Sequence, residues 1–319
     1  MVRTMFLRAL FLFLFLFITS LCSASEPELH RFEYSEVAMG VRARMVVYAP
    51  DEAAARRSCE AAFDRIAYLE DVMSDYRPTS ELMRLSSRAG GVVVPVSNEM
   101  LFVLARSQEL ARRSGGAFDV TVGAVVKLWR KARKAGAMPP HDELEAARKL
   151  VGWRKVHIDV NAKKVRLDTP GMQLDLGGIA KGYACDEAIR VLKEHRISSA
   201  LVEMGGDIVV SGPPPGKKGW EIDVANATDP AKKQITLANG AVSSSGDTEQ
   251  YVEIGGMRYS HIVDPRTGLG LTDMIAVTVV APNGITSDGL STAVSVLGER
   301  KGQELVRKYP GVAVYVRKD

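Results

Sequence analysis

The sequence predicts an α+β fold, with mixed or antiparallel sheets and flanking helices in one compact unit. Strand and helix patterns are mixed along the chain, without the regular βαβ alternation of a parallel α/β protein. The 319 residues are 46% apolar, 25% charged and 7% aromatic, a globular composition rather than that of a disordered or fibrous chain. No internal repeat and no long linker interrupts the pattern, so one domain is expected.

The local patterns place the elements in order. Residues 31–49 predict two strands around a turn at Met39-Gly40, and helical apolar spacing follows from Ala54 to Leu69. Ser97 is suited to cap a helix that ends before Gly115. Further strands are predicted at 92–96, 155–159, 164–168, 173–176, 200–204, 207–210, 220–225, 241–244, 250–254, 258–262 and 274–281, with a last strand at the C-terminus. Further helices are predicted over 122–129, 141–150, 179–195, 287–297 and 299–309.

Residues 1–24 have the layout of a secretory signal peptide. A basic start precedes an apolar run from Ala9 to Ile18, and small residues ending at Ala24 suit a cleavage site. Because the run is short for a membrane span, we expect its removal, which leaves a domain over 25–319. A retained anchor and lipid attachment at Cys22 are the alternatives. The expected location is periplasmic or otherwise extracytoplasmic, including attachment to the outer face of the inner membrane.

Charge and cysteine content narrow the function. The formal net charge is only +4 and no basic stripe stands out, so nucleic acid is not predicted as a partner. Cys59 and Cys185 lie in predicted helices without a CxxC or metal-binding spacing. We expect both to be packing residues.

The strongest chemical signal is the segment from Asp175 to Tyr183. Here a predicted strand ends in Gly177-Gly178 and passes directly into a helix that carries Lys181 in its first turn. Glycines let the backbone approach a ligand, and a helix start presents unpaired N–H groups to an anion. The pattern by itself allows either a phosphate site or a plain turn.

Two further segments combine polar residues at element ends. In Ser260–Gly268, His261 could accept a hydroxyl proton, and Asp264 could orient the imidazole ring or a metal. Alternatively, Asp264 could simply cap the turn and pair with Arg266. In Ser287–Ala293, Asp288 and Thr292 are four residues apart on one helical face. Their oxygens suit Mg²⁺, although an N-cap with a buried Thr explains them equally well.

Taken together, these segments resemble the FAD:protein FMN transferase (ApbE) family, from Met39-Gly40 to Gly298. Each match is weak alone, but seven in register are specific, and they imply a T-fold-like version of the α+β architecture. The matching segments are Met73–Pro78 with Ser80, Gly116–Gly123 with Leu128-Trp129, Asp175–Tyr183 with Asp186, Gly205–Asp207, Ser244–Asp247, His261–Gly268 and Asp288–Thr292.

The resemblance implies a Mg²⁺-dependent enzyme that splits the FAD pyrophosphate. It would attach FMN through a phosphoester to a Thr or Ser hydroxyl of an extracytoplasmic acceptor protein, typically a subunit of a membrane redox complex, and release AMP. The metal would be held by the carbonyl of Gly178 with Asp288 and Thr292, and His261 would deprotonate the acceptor hydroxyl. Residues that match flavin- or nucleotide-contacting positions are Met39, Tyr76, Ala117, Phe118, Asp119, Asp175, Lys181 and Ile262.

Two other functions fit the same residues. An FAD pyrophosphatase would use water in place of the protein hydroxyl and release FMN and AMP, and shielding of the phosphate by Tyr76 favours the transferase. A secreted flavin-binding protein without catalysis would not need His261, Asp288 and Thr292 together. Val41, Ala124 and Thr248 depart from common family residues, but none of them replaces a predicted metal oxygen or His261.

Overall fold

The structure is a computed structural model that describes residues 28–224, 233–246, 251–273 and 275–318. Its sheets and flanking helices confirm the predicted α+β fold. The predicted signal peptide lies outside the described residues. So do Ala225, Asp247, Thr248, Gln250 and Met274, which belong to predicted strands or motifs.

The described part of the chain contains fourteen strands and seven α-helices. The strands are β1 (His30–Ala38), β2 (Val41–Ala49), β3 (Val93–Pro95), β4 (Val156–Asp159), β5 (Lys164–Leu167), β6 (Ala200–Met204), β7 (Asp207–Val210), β8 (Trp220–Asp223), β9 (Gln234–Leu237), β10 (Gly240–Ser245), β11 (Tyr251–Ile254), β12 (Met257–Ser260), β13 (Ile275–Ala281) and β14 (Ala313–Lys318). The helices are α1 (Glu52–Met73), α2 (Glu81–Ser87), α3 (Asn98–Ser114), α4 (Gly123–Ala135), α5 (His141–Leu150), α6 (Ala180–Glu194) and α7 (Gly284–Val306).

The central feature is a seven-stranded antiparallel sheet in the order β1-β2-β6-β7-β10-β13-β14. Two tight hairpin turns, Met39-Gly40 and Gly205-Gly206, lie side by side at one end of this sheet. Both residues of each turn have positive φ, between 50° and 94°, as type I′ hairpins require. A side-chain carbon on Gly205 would lie 2.8 Å from Val41, so the two turns are in close contact.

The sheet is covered on both faces. On one face, alternate residues such as Met45, Val47 and Val202 join the main core with α1 and α6. On the other face, Trp220 and Ile222 of the β8–β9 hairpin pack over a smaller apolar cluster. The sheet is therefore a rigid support for residues at its strand ends.

A third apolar cluster lies between α4, α5 and the β11–β12 hairpin. Trp129 is its largest buried member, and it packs with Leu144 of α5 and Val263 after β12. This cluster fixes the segment that contains His261 against α4.

Most predicted elements are confirmed, with a few differences. The predicted strand at 173–176 is wrong: only Gln173 forms a bridge, with Val122, and the following residues are irregular. Neither helix α2 nor strand β9 was predicted. The last predicted helix pair is present as α7, interrupted by non-helical Gly298, but it begins earlier, at Gly284.

Both cysteines predicted to be packing residues, Cys59 and Cys185, are buried and free. Their burial confirms the packing role, and burial also raises the pKa of Cys59 to about 12, which disfavours the reactive thiolate. Among the residues described, no helix is both long and apolar enough to cross a bilayer.

Candidate active site

The glycine turn before α6 lies directly against α7. A side-chain carbon on Gly178 would lie 2.8 Å from Oγ1 of Thr292, and one on Gly182 would lie only 2.1 Å from the carbonyl oxygen of Gly284. The two helices therefore pack backbone to backbone, which only glycine allows. This packing brings Gly178 and Thr292, two of the predicted metal-binding residues, next to each other.

Asp186 and Asp288 connect the same two helices. Both oxygens of Asp186 accept hydrogen bonds from the start of α7, at 2.6 Å from Gly284 N and 2.9 Å from Ile285 N. In the opposite direction, Oδ2 of Asp288 accepts the Gly182 N–H at 2.9 Å. The position of Asp288 relative to α6 is thus fixed from both helices.

Lys181 forms a compact charged centre with two buried carboxylates. Its Nζ lies 2.8 Å from Oδ2 of Asp207 and 3.8 Å from Oδ1 of Asp288, and both aspartates are 3% exposed. Burial opposes the lysine charge, but the two carboxylates raise the pKa of Lys181 above its ordinary value. Burial and the negative charge of Asp207 raise the pKa of Asp288 to about 7. Such shifts are typical of functional sites.

The residues of this centre fit the predicted Mg²⁺. Asp288 offers a carboxylate, Thr292 a hydroxyl and Gly178 a backbone carbonyl, all hard oxygen donors of the kind that Mg²⁺ prefers. The space that a side chain on Gly178 would fill lies beside the Thr292 hydroxyl. No group of three or more His, Cys, Asp or Glu suited to a metal exists within the described ranges. A metal here would therefore rely on Asp288 and neutral oxygens.

A second cluster surrounds Arg130 on α4, next to the glycine turn. Arg130 pairs with Asp75 through Nη1 and with Oδ2 of Asp175 at 3.0 Å through Nη2. Its guanidinium lies 4.2 Å from the ring centre of Tyr76. Because Oδ1 of Asp175 also accepts the Gly177 N–H at 2.8 Å, this cluster and the Lys181 centre share one continuous segment.

The sequence analysis did not single out Arg130, which lies one residue beyond the helix predicted over 122–129. Its partners are 55 and 45 residues away along the chain. No local signal in the sequence identifies these partners. The one available hint was that Arg130 directly follows Trp129, which belongs to a matched motif. Asp207 was noted only as part of a double-glycine turn, and its pairing with Lys181 was not foreseen.

The predicted contact residues Ala117, Phe118 and Asp119 all have buried side chains. Oδ1 of Asp119 accepts hydrogen bonds from the N–H and hydroxyl of Thr121, at 2.9 and 2.6 Å, and Oδ2 accepts the Trp153 N–H at 2.8 Å. The Asp119 carboxylate therefore holds this loop together.

His261 lies half-buried immediately after β12. The following residues pair with 269–271, because Leu271 N donates to the carbonyl of Ile262 at 2.9 Å. Trp129 Nε1 donates to the carbonyl of Gly268 at 2.8 Å. The loop is thereby anchored to α4, next to Arg130.

Asp264 has the role that the simpler interpretation of the motif gave it. Its oxygens accept from Arg266 Nε at 2.8 Å, Arg266 Nη2 at 2.7 Å and the Arg266 N–H at 2.9 Å. The described contacts thus place Asp264 in the turn that carries His261. Its predicted role in orienting His261 stays a prediction.

The remaining predicted contact residues occupy the surroundings. Met39 lies in the β1–β2 turn with positive φ of 50° and packs partly against the main core. Tyr76 is 73% exposed. The structure therefore brings Gly178, Lys181, Asp288 and Thr292 into one centre, while Asp175 joins Tyr76 in the neighbouring cluster.

These features define an α+β enzyme scaffold in which a glycine turn faces a carboxylate and a hydroxyl, beside a partly buried lysine. Such an arrangement suits a cation together with a phosphate-containing ligand. The sequence matches the ApbE family over residues 39–316. The chain belongs to this family.

Individual relatives agree. An FAD:protein FMN transferase of Treponema pallidum (strain Nichols) is 35% identical over 300 residues, which cover 88% of this chain and 83% of that protein. One of Haemophilus influenzae is 35% identical over 78% of this chain and 76% of its own length. The apo crystal structure of the Pseudomonas stutzeri flavinyl transferase ApbE superimposes with a TM-score of 0.80 at 29% identity, covering 91% of this chain and 95% of that one. The predicted family and enzyme class, a flavin transferase, are confirmed.

Proposed function

We propose that this chain is a magnesium-dependent FAD:protein FMN transferase that acts outside the cytoplasm. It takes FAD as substrate, attaches FMN to a Thr or Ser hydroxyl of an acceptor protein, and releases AMP. The observation that carries the proposal is the joint placement of Gly178, Asp288 and Thr292 beside Lys181. A buried carboxylate, an ammonium and a hydroxyl at one glycine turn can hold a cation and a diphosphate together, as this reaction requires.

Each residue has a role that its surroundings support. Bound Mg²⁺ would offset the negative charge of the diphosphate and make the phosphorus easier to attack. Lys181, kept charged by Asp207, supplies a further positive charge for the nucleotide phosphates. The glycine turn lets the diphosphate approach the backbone, because Gly177 and Gly178 carry no side chains.

The chemical step is one substitution at the phosphorus of the FMN half. The acceptor oxygen forms a new bond to this phosphorus, and the bond from phosphorus to the oxygen bridging to AMP breaks. The proton of the acceptor hydroxyl passes to an imidazole nitrogen of His261, and AMP leaves with the bridging oxygen. His261 is suited to this proton transfer because it is half-buried in a loop that is anchored to α4.

The location and the acceptor follow from the leader and the chemistry. The signal-peptide pattern of residues 1–24 supports export, with peripheral attachment to the membrane if the leader is kept or lipid-modified. The acceptor is then an exported protein with an accessible Thr or Ser, such as a subunit of a membrane redox complex. Cell fractionation of the full chain tests the location.

Incubation with FAD, Mg²⁺ and an exported candidate acceptor tests the activity. We expect flavin fluorescence that stays with the acceptor after denaturation, a mass increase equal to one FMN, and AMP in equal amount. An acceptor with its Thr replaced by Ala and a reaction with EDTA are the controls. Free FMN and AMP without labelled acceptor would identify a pyrophosphatase, and bound but intact FAD would identify a binding protein.

A further inference from the structure

Arg130 connects three segments that are far apart in the sequence. Its two terminal nitrogens bond to Asp75, in the loop after α1, and to Asp175, in the glycine-turn segment. Its guanidinium lies over the ring of Tyr76, 4.2 Å from the ring centre. A planar, forked guanidinium can make all three contacts together, whereas the ammonium of a lysine cannot.

Arg130 is bonded directly to both carboxylates of the cluster. Burial, followed by the negative charge of Asp75, raises the pKa of Asp175 above its ordinary value, and Arg130 acts in the opposite direction. The side chain of Arg130 is 22% exposed, and those of Asp75 and Asp175 are 11% and 10% exposed. Solvent therefore screens these charges only weakly, and loss of Arg130 would leave two carboxylates close together with only the charge of Lys127 to offset that of Asp175.

Arg130 itself is held in place by its neighbour. Trp129 is 1% exposed, donates to the carbonyl of Gly268 at 2.8 Å, and lies 5.1 Å from the ring of Tyr259. The backbone of α4 at this point is thus fixed by the core beneath it. By contrast, Tyr76 is 73% exposed, so its ring depends on Arg130 for its orientation.

We propose that Arg130 is a positioning residue of the flavin subsite. It supports one face of the Tyr76 ring, so that the other, exposed face can stack on a planar ring of the substrate, and it fixes the Asp175 carboxylate next to the glycine turn. The proposal rests on the proposed function, because it takes FAD as the ligand. It adds a residue that acts through Tyr76 and Asp175 without itself reacting.

The test compares Arg130→Met and Arg130→Lys with the exposed control Lys131→Met on the same helix. FAD binding is measured through quenching of flavin fluorescence, without acceptor, and KM and kcat are measured in the transfer assay. We expect Arg130→Met to lose the quenching and to raise the Kd and KM for FAD by about tenfold or more, the cost of a charge-assisted contact and a cation–π contact. Arg130→Lys retains the charge and the fold but should recover little of the quenching. Lys131→Met should behave as wild type.

A double-mutant cycle with Tyr76→Leu separates positioning from general damage. If Arg130 acts through Tyr76, then Arg130→Lys should change FAD affinity much less in the Tyr76→Leu protein than in the wild type. Equal effects in both backgrounds, or unchanged quenching in Arg130→Met, would overturn the proposal. Wild-type protein that neither binds nor cleaves FAD would instead overturn the proposed function, so the two failures are distinguishable.

Discussion

A side-chain carbon on Gly178 would lie 2.8 Å from Oγ1 of Thr292 and 3.1 Å from its Cγ2. Such a distance is too short for carbon and oxygen, so a larger residue at 178 would displace the threonine. Residue 178 must therefore be a glycine, because a side chain there would prevent the turn from approaching α7 so closely. Thr292 lies one helical turn after Asp288, and a displaced Thr292 would therefore separate the two side-chain oxygens proposed for Mg²⁺.

We expect Gly178→Ala to lose most magnesium-dependent turnover and about 1–3 kcal/mol of stability, as overpacked contacts do. Mg²⁺ titration of the transfer rate and denaturant unfolding measure the two effects. In Gly178→Ala/Thr292→Ala the clash is relieved, so stability should return while turnover stays low. Wild-type turnover in Gly178→Ala would contradict the placement of the metal.

Asp288 makes magnesium binding depend on pH. Burial and Asp207 raise the pKa of Asp288 to about 7, so a proton must leave before the carboxylate can bind a cation. Below that pH the apparent Mg²⁺ affinity should fall about tenfold per pH unit, and above it the affinity should be constant. Calorimetric titration with Mg²⁺ on both sides of pH 7 measures this pH dependence of the affinity. As a control, Asp142→Asn, at an exposed position on α5, should give the wild-type profile.

The same shift has a consequence for the metal-free protein. The folded state holds the Asp288 proton up to about pH 7, while the unfolded chain releases it near the ordinary value of 3.8. The unfolded state therefore binds fewer protons in this window, and stability should fall as the pH rises through it. Unfolding by urea at several pH values measures this slope, which Asp288→Asn should reduce. If that variant keeps the wild-type slope, the shift is contradicted.

His261 should be needed for transfer rather than for binding. We expect His261→Ala to slow transfer by about 10²- to 10⁴-fold, the usual effect of losing a general base, with an FAD affinity close to that of wild type. Single-turnover transfer and flavin fluorescence measure the two quantities. His141→Ala, at an exposed position that begins α5, is the matched control, and near-normal transfer by His261→Ala would remove His261 from this role.

Elements defined by local chemistry could be predicted from the sequence. The Met39-Gly40 hairpin, the Ser97 cap and the break at Gly298 each depend on residues close in sequence, and all three are present. The error at 173–176 has the same origin. The alternation of Leu174 and Leu176 is typical of a strand, but both side chains are simply buried in the main core. Residues 173–176 form only one β-bridge, between Gln173 and Val122.

The candidate site was predictable only in part. Residues within one motif, such as Asp288 and Thr292, could be placed on one helical face from their spacing alone. The pairing of Lys181 with Asp207 and of Arg130 with Asp175 depends on how the sheet and α4 are brought together. A single sequence contains no local signal for such long-range contacts, so these partners became visible only in the fold.

Asp119 should act mainly through stability. Its carboxylate accepts three hydrogen bonds, two from Thr121 and one from the Trp153 N–H, so Asp119→Asn would set an amide N–H₂ against one of these donors. We expect a loss of about 1–3 kcal/mol in the free energy of unfolding and an FAD affinity close to wild type in the folded fraction. Urea unfolding and flavin titration measure them. A large loss of affinity at unchanged stability would instead favour direct contact with the nucleotide.

Asp186 should couple the start of α7 to the metal site. It accepts the N–H groups of Gly284 and Ile285 from its place on α6, whereas Asn283 caps the same helix from within its own segment, through Thr286 N at 3.1 Å. Loss of either cap should cost about 1 kcal/mol of stability. Of these two caps, Asp186 alone also connects α6, which carries Lys181, to α7, which carries Asp288.

We therefore expect Asp186→Asn to raise the Mg²⁺ concentration needed for half-maximal transfer by severalfold, because its amide has only one acceptor oxygen and one N–H of α7 loses its partner. Asn283→Ala should lower the thermal midpoint by a similar amount but leave the Mg²⁺ requirement as in wild type. Metal titrations of the two proteins, made at equal fractions folded, give the comparison. If both variants shift the Mg²⁺ requirement equally, Asp186 is an ordinary helix cap, and the alignment of Asp288 with α6 must come from the Gly182 hydrogen bond and the glycine packing alone.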